Sequence, residues 1–281
     1  YISECNRIGI NVLPPSVNDS EEDFTVENGN ICFGLLAVKN LGKNFIRNIE
    51  AQRRTGKYTS FYDFCSRLHG ADFNKRAIEN LIRCGALDGL GANRRQMLMG
   101  MGEIVDELDN KRRKNVDGQI GFFDSDFGGG ATHEPDLPRV DEFPKNELLA
   151  MEKETAGLYL SGHPMAEYRE LAASIKCTEI ADLLEAQENP TAFSDRDRIK
   201  IMGIINSVKK KITKSDSTMA FLTVEDVTGS AEVIVFPKTL AQYSTLIAEG
   251  EIAVFTGRAD LREDEPPKLI CEFISTPREA V

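Results

Sequence analysis

The sequence predicts an α+β protein of several domains: a helical region, then a flexible linker, short helices and a five-stranded β-barrel. Three observations predict it. Apolar residues recur at helical spacing between residues 31 and 108, periodicity is lost from Asp109 to about Pro144, and beyond Arg198 the period becomes two while β-branched content rises. At 281 residues the chain has room for two or three domains of ordinary size.

In the helical part, Leu35 and Val38 and then Phe45, Ile46 and Ile49 mark two helices, with Gly56 placed as a terminator. Ser60 stands three residues before Asp63 as a capping pair. Asn74 opens a run with Ala77, Ile78, Leu81 and Ile82 on one face, closed by Gly85. A further helix begins near Asn93 and carries Met97, Leu98, Met101, Ile104, Val105 and Leu108. The linker follows, with KRRK and then Gly128, Gly129 and Gly130. Helical signal returns at Leu148 to Leu160 and from Glu167 to Glu188, before Pro190 ends it. Strands are expected at 199–212, 218–225, 230–236, 251–262 and 268–275, with a helix from Lys238 to Ala248 between the third and fourth. Five strands with a helix in that place give the order of an OB-fold, a Greek-key barrel that binds oligonucleotides or oligosaccharides. The string VEDVTGSAEV supplies a tight hairpin at Asp226 to Gly229.

Composition narrows the function. No apolar run approaches the ~20 residues that span a bilayer, and no basic-then-apolar leader is present, so a soluble, cytoplasmic protein without a membrane partner is expected. Cys5, Cys32, Cys65, Cys84, Cys177 and Cys271 are too scattered for a zinc ribbon or a compact disulfide framework, and read as buried apolar residues. His69, His133 and His163 do not pair on one helical face, so no metal site is expected. A chain that begins at Tyr1 and enters at once into dense sequence is expected to be a segment of a longer polypeptide.

The net charge of -11 is unevenly spread. Lys39, Lys43, Arg47, Arg53, Arg54 and Lys57 face the single acid Glu50, and Arg196, Arg198, Lys200, Lys209, Lys210, Lys211 and Lys214 face only Asp197. Binding responds to such local fields rather than to the total. In the first island, FGLLAVKNLGKNFIRNI (Phe33 to Ile49) puts the tight turn Asn40, Leu41, Gly42 before a helix N-terminus flanked by lysines. A helix-hairpin-helix presents backbone N–H groups and a helix dipole to a DNA phosphate in this way; a plain packing turn is the alternative. Its usual turn is Gly, apolar, Gly, and Asn is the non-glycine residue best able to take positive φ. The run IRCGALDGLGANRRQML (Ile82 to Leu98) reads as a second, divergent copy, weak as a DNA contact.

In the linker, QIGFF (Gln119 to Phe123) suits a short peptide docking into an apolar pocket of a partner, or a local anchor on the protein's own surface. KKKITKSDS (Lys209 to Ser217) lies between the first two barrel strands, where OB-folds grip nucleic acid. Phe221 and Phe236 offer either stacking surfaces or core, and alternation favours the core for one or both. Neither GxGxxG nor GxxxxGK[ST] occurs. Asp124 with Asp126, and Asp195 with Asp197, are possible magnesium pairs that read better as solvated acids, so no catalytic residue is assigned.

The strings NVLPPSVNDS (Asn11 to Ser20), FGLLAVKNLG (Phe33 to Gly42), NLIRCGALDGLGANR (Asn80 to Arg94), MEKETAGLYLSGHPM (Met151 to Met165) and FLTVEDVTGSAEVIVFP (Phe221 to Pro237) in this order resemble the bacterial C-family replicative DNA polymerases, the DNA polymerase III alpha subunits, after their catalytic palm. The resemblance covers nearly the whole chain. It implies an end of the fingers domain at 1–30, tandem helix-hairpin-helix at 31–108, a linker with a sliding-clamp motif at 109–145, connecting helices at 146–194 and an OB-fold at 195–281. It also implies clamp anchors at Gln119, Phe122 and Phe123, duplex contacts at Lys39, Asn40, Gly42, Lys43 and Arg47, and single-strand contacts at Lys209, Lys210, Lys211 and Lys214. Other replicase subunits would be further partners. The parent would be a DNA-directed DNA polymerase whose palm carboxylates hold Mg2+; they have no counterpart here, so this segment should be inactive alone and carries no cofactor. Ser16 stands where the family usually has Asp. The rival readings are a free-standing OB-fold protein binding single-stranded DNA, RNA or tRNA, and a scaffold joining replication subunits.

Overall fold

A three-stranded sheet opens the chain: β1 (Val12–Leu13), β2 (Thr25–Glu27) and β3 (Asn30–Cys32), in the order β1-β3-β2. Asn28 and Gly29, both at positive φ, make the two-residue turn that joins β2 to β3. The computed structural model describes residues 5, 8–70, 73–116, 135–186, 193–213, 216–262 and 265–280, and for 114–116 the backbone only. The chain divides into two units, Tyr1–Gly162 and His163–Val281.

The first unit continues with α1 (Lys43–Arg53), α2 (Phe61–Leu68), α3 (Lys75–Arg83), α4 (Arg94–Val116) and α5 (Lys145–Ala156). Their starts follow local chemistry. The Ser60 hydroxyl accepts from the Asp63 N–H at 3.0 Å, and the Asn74 side chain accepts from the N–H groups of Arg76 and Ala77. Phe45, Ile46, Ile49, Ala77, Ile78, Leu81, Ile82, Met97, Met101 and Ile104 meet in one core, as helical spacing requires. The segment 11–20 is pinned to this core. Val17 is buried and donates its N–H to the Ala86 carbonyl, and Asn18 exchanges two hydrogen bonds with the Tyr58 backbone.

A buried ion pair joins α4 to α5. Arg94 is 5% exposed and Glu152 fully buried; the guanidinium reaches Glu152 at 3.0 Å and Asp88 at 2.7 Å, and also donates to the Arg83 carbonyl. The second Glu152 oxygen accepts from the N–H groups of Leu160 and Ser161. Gly85, at φ +83, is required beside this network, since a Cβ there would lie 2.3 Å from the Arg94 guanidinium.

Three sequence expectations change. The apolar stretch at Leu35 forms only a 3-10 turn, Leu35–Ala37. The helix expected to end at Leu108 runs to Val116, because KRRK lies on a helix secured from outside its own apolar stripe. Lys111 donates to the Tyr62 hydroxyl at 2.8 Å and pairs with Glu107, and Asp109 meets His69 at 3.0 Å. The helical stretch expected from Glu167 to Glu188 forms two short helices instead, Arg169–Ser174 and Ile180–Glu185.

In the second unit β4 (Arg198–Ile212), β5 (Thr218–Glu225), β6 (Ser230–Val235), β7 (Ile252–Asp260) and β8 (Lys268–Ser275) close a barrel in the order β4-β5-β6-β8-β7. The long β4 pairs with both β5 and β7, bending at a bulge between Ile205 and Ser207, and parallel pairing of β6 with β8 completes the closure. Gly257 allows β7 to approach β8, since a Cβ there would lie 2.0 Å from the Ile270 carbonyl oxygen. Helix α8 (Pro237–Tyr243) sits between β6 and β7 where the sequence places one, shorter than expected and followed by a 3-10 turn, Ser244–Leu246. Ahead of the barrel, a 3-10 turn (Pro164–Tyr168), α6 (Arg169–Ser174) and α7 (Ile180–Glu185) pack on its outside. The β5–β6 hairpin caps α7: one Asp226 oxygen accepts from the Ile180 N–H at 2.8 Å, and the Thr228 hydroxyl from the Ala181 N–H.

Removing one partner of a buried ion pair strands the other, whereas an exposed pair contributes little. Glu152→Ala should therefore destabilise the first unit by about 3–5 kcal/mol in urea unfolding. Glu154→Ala, which removes the exposed pair with Arg83, should cost under about 1 kcal/mol. Similar small losses in both variants would refute this hierarchy.

Candidate nucleic-acid interface

Asn40 has φ +63, so the turn before α1 uses the left-handed backbone that its residue type anticipates. Leu41 is buried beneath it and Gly42 is the N-cap. Gly42 offers no side chain, the first turn of α1 holds no acid, and no side chain among the described residues accepts from the Lys43, Asn44 or Phe45 N–H. The positive end of the helix dipole faces outward with basic side chains around it. The peptide units of Lys39 are held from two sides: its N–H donates to the Thr155 carbonyl at 2.9 Å, and its carbonyl accepts from the Asn80 amide at 2.6 Å. Lys39, Asn40, Gly42, Lys43 and Arg47 are all exposed and brought together around this turn. An open groove of about 570 Å³ runs from Lys39 and Asn40 past Arg76 and Arg83.

Sequence reasoning missed Glu22. Its carboxylate meets Lys43 at 3.0 Å and Arg47 at 3.5 Å, and the Lys43 ammonium hydrogen-bonded to it holds its carboxyl below the usual range. Both cations are more than half exposed, so the pairing is weak and open to competition from a phosphate.

The second turn has the same backbone device. Gly91, at φ +79, stands three residues before Arg94, as Asn40 stands three before Lys43. The N-terminus of α4 is differently occupied. The Asn93 and Gln96 side chains cap each other's N–H groups, and Glu142 accepts from the N–H groups of Arg94 (2.8 Å) and Arg95 (3.1 Å).

On the barrel, cross-strand pairing sets Lys209 opposite Phe221, Phe221 opposite Ile234, Ile234 opposite Ile270 and Ile270 opposite Arg258. This row lies on the outer face, since Leu222, Val233 and Leu269 beside it fill the interior. Lys211 pairs with Met219 on the same face, and Lys210 lies opposite buried Ala220. Lys209, Lys210 and Lys211 are exposed, while Lys214 lies outside the described residues. Neither aromatic is core: Phe221 belongs to the outer row and Phe236 is 46% exposed before α8. Pro237 ends the β6 alternation one residue after Phe236 and turns the chain into α8.

Asp195 and Asp197 are turn acceptors, bonding the N–H groups of Leu261 and Ser194. Among the described residues no His, Cys, Asp or Glu cluster is arranged to hold a metal. Asp124, Asp126, Gln119, Phe122 and Phe123 lie outside the described residues. Burial pushes the thiols of Cys65, Cys84 and Cys271 up to about 12 and that of Cys177 to about 11, so these cysteines are not nucleophiles at neutral pH. Ser16 donates to Asp19 at 2.8 Å and accepts from the Asn18 N–H within its own turn. No helix among the described residues is long and apolar enough to cross a membrane.

Residues 9–97 match the helix-hairpin-helix motif family and residues 199–276 the OB-fold nucleic acid binding domain family. DNA polymerase III subunit alpha of Saccharopolyspora erythraea is 35% identical over 94% of this chain and 22% of its own length. The Bacillus subtilis protein of that name is 32% identical over 94% of this chain and 23% of its length, and the Thermus aquaticus one 32% over 100% and 22%. The chain thus spans about a fifth of the relatives it matches.

Proposed function

We propose that this chain, homologous to about a fifth of the DNA polymerase III alpha subunits, is their DNA-holding and clamp-docking portion behind the palm, and that it works by position rather than by chemistry. The observation that carries the reading is the outward-facing α1 N-terminus, set by Asn40 at φ +63 and ringed by Lys39, Lys43 and Arg47. Its N–H groups and cations suit a duplex phosphate in any sequence context, because contacts to phosphates carry no base information. Lys209, Phe221, Ile270 and Arg258 on the outer face of the barrel, with Lys210 and Lys211 at the strand end and Lys214 following in the sequence, would give a single strand both charge and stacking surface. Gln119, Phe122 and Phe123 would anchor a sliding clamp, raising the effective concentration of the enzyme at its template. The parent would polymerise DNA through Mg2+ held by palm carboxylates outside this chain, and the segment alone would be inactive. Other replicase subunits are further partners, and the cytoplasm is the expected compartment.

One titration series tests the two DNA surfaces against each other. Lys43→Ala with Arg47→Ala should weaken duplex binding equally for all sequences and lower the slope of log affinity against log salt by up to about two, leaving single-strand binding intact. Reversing the charges of Lys209, Lys210 and Lys211 should do the converse. Unchanged affinities, or equal losses on both ligands, would sink the assignment.

Clamp docking is checked separately by titrating the native chain and the Gln119→Ala, Phe122→Ala, Phe123→Ala variant against a bacterial sliding clamp. Binding near 1 μM, about -8 kcal/mol, that disappears in the variant is expected. Equal binding by both chains, or none by the native one, would refute the anchor.

A further inference from the structure

Glu22 is a fixed acid beside two movable cations. Its two oxygens are divided between Lys43, at 3.0 Å, and Arg47, at 3.5 Å, which stand four residues apart on one face of α1. The carboxylate is the constrained member. Its side chain is 20% exposed, against 60% for Lys43 and 65% for Arg47. The backbone of Glu22 is tied to the turn that precedes the hairpin, because the Leu35 and Leu36 N–H groups donate to the Glu21 and Glu22 carbonyls at 2.9 and 3.0 Å. Arg53 holds the same segment from the far end of α1, donating to the Ser20 carbonyl at 2.7 Å and pairing with Glu21 at 2.9 Å. Gly34 lets the segment lie this close, since a Cβ there would meet the Asp23 carbonyl carbon at 2.5 Å.

We propose that Glu22 is an intramolecular counter-ion that makes the duplex grip exchangeable, taking Lys43 and Arg47 back each time a phosphate leaves. The inference rests on the duplex-holding reading above and adds the means of release. A cation that leaves a phosphate for water loses its partner outright, whereas one that leaves it for a carboxylate already within reach does not. The acid thereby weakens the bound state and eases dissociation, and it does so in any sequence context. Each pair is exposed on its cation side and contributes little to stability, so the effect of the acid falls on the availability of the cations.

The test compares duplex affinity and dissociation rate, across a salt series, for the native chain, Glu22→Gln, Glu22→Asp and Glu103→Gln, with folding checked by thermal melts. Glu103 is an exposed acid in the middle of α4 and reports the effect of net charge alone. Glu22→Gln should bind about threefold to tenfold tighter at low salt, through slower dissociation, with the gain shrinking as salt screens the pair. Glu22→Asp, whose carboxylate reaches one methylene less far, should gain less. In the Lys43→Ala, Arg47→Ala background the gain from Glu22→Gln should vanish. Native affinity and dissociation rate in folded Glu22→Gln, or a gain confined to the association rate and matched by Glu103→Gln, would overturn the proposal. Duplex binding unaffected by Lys43→Ala with Arg47→Ala would refute the first-hairpin reading and the counter-ion with it.

Discussion

The first unit depends on a charge placed where water does not reach. Arg94 and Glu152 are both buried, and an ion pair in that position is tolerable because its groups find further partners: the guanidinium reaches Asp88 and the Arg83 carbonyl, and the second Glu152 oxygen accepts from the N–H groups of Leu160 and Ser161. The pair fixes α5 against α4. Through α5 it also fixes the first hairpin, because the Thr155 carbonyl near the end of α5 accepts the Lys39 N–H. Asn80 on α3 holds the other side of Lys39. A backbone turn with positive φ at Asn40 is strained by about 1–2 kcal/mol for a non-glycine residue, and this double anchoring keeps it in place.

An acidic chain can present basic surfaces because its charge is arranged rather than averaged. The basic turn of α1 is partnered by Glu22 through exposed side chains, a contact that solvent and salt already weaken. The corresponding turn at α4 is partnered by Glu142 through backbone amides, with the returning chain tied down on both sides. One acid competes loosely and the other is built in. The two hairpins therefore share a backbone device and differ in what their surroundings leave exposed.

The barrel was largely legible in the sequence. Period two, β-branched residues and the VEDVTGS turn place its strands within about two residues of where they lie, because one face of each strand is buried and any slip would expose it. Asn40 was legible for a different reason: Asn tolerates positive φ better than other non-glycine residues, and it stands where the hairpin turn usually has Gly. The charged end of α4 was not, since its support comes from Tyr62 and His69, far away in sequence. Glu22 and Glu142 were equally hidden. Each acid looks like any solvated acid until folding brings it 21 or 48 positions across the chain to its cation or amide. Phe236 follows the outer phase of β6, since Ala231, Val233 and Val235 fill the interior, and it is exposed where Pro237 turns the chain.

The central claim is that duplex DNA meets the chain at the backbone amides of α1. Those amides can be observed directly by following backbone N–H resonances as a short duplex is added. The account predicts that Lys43, Asn44 and Phe45 shift and gain protection from exchange, while Arg94 and Arg95, already bonded to Glu142, stay where they are. Shifts concentrated at Arg94 and Arg95, or an undisturbed α1 N-terminus in a chain that binds duplex, would contradict it.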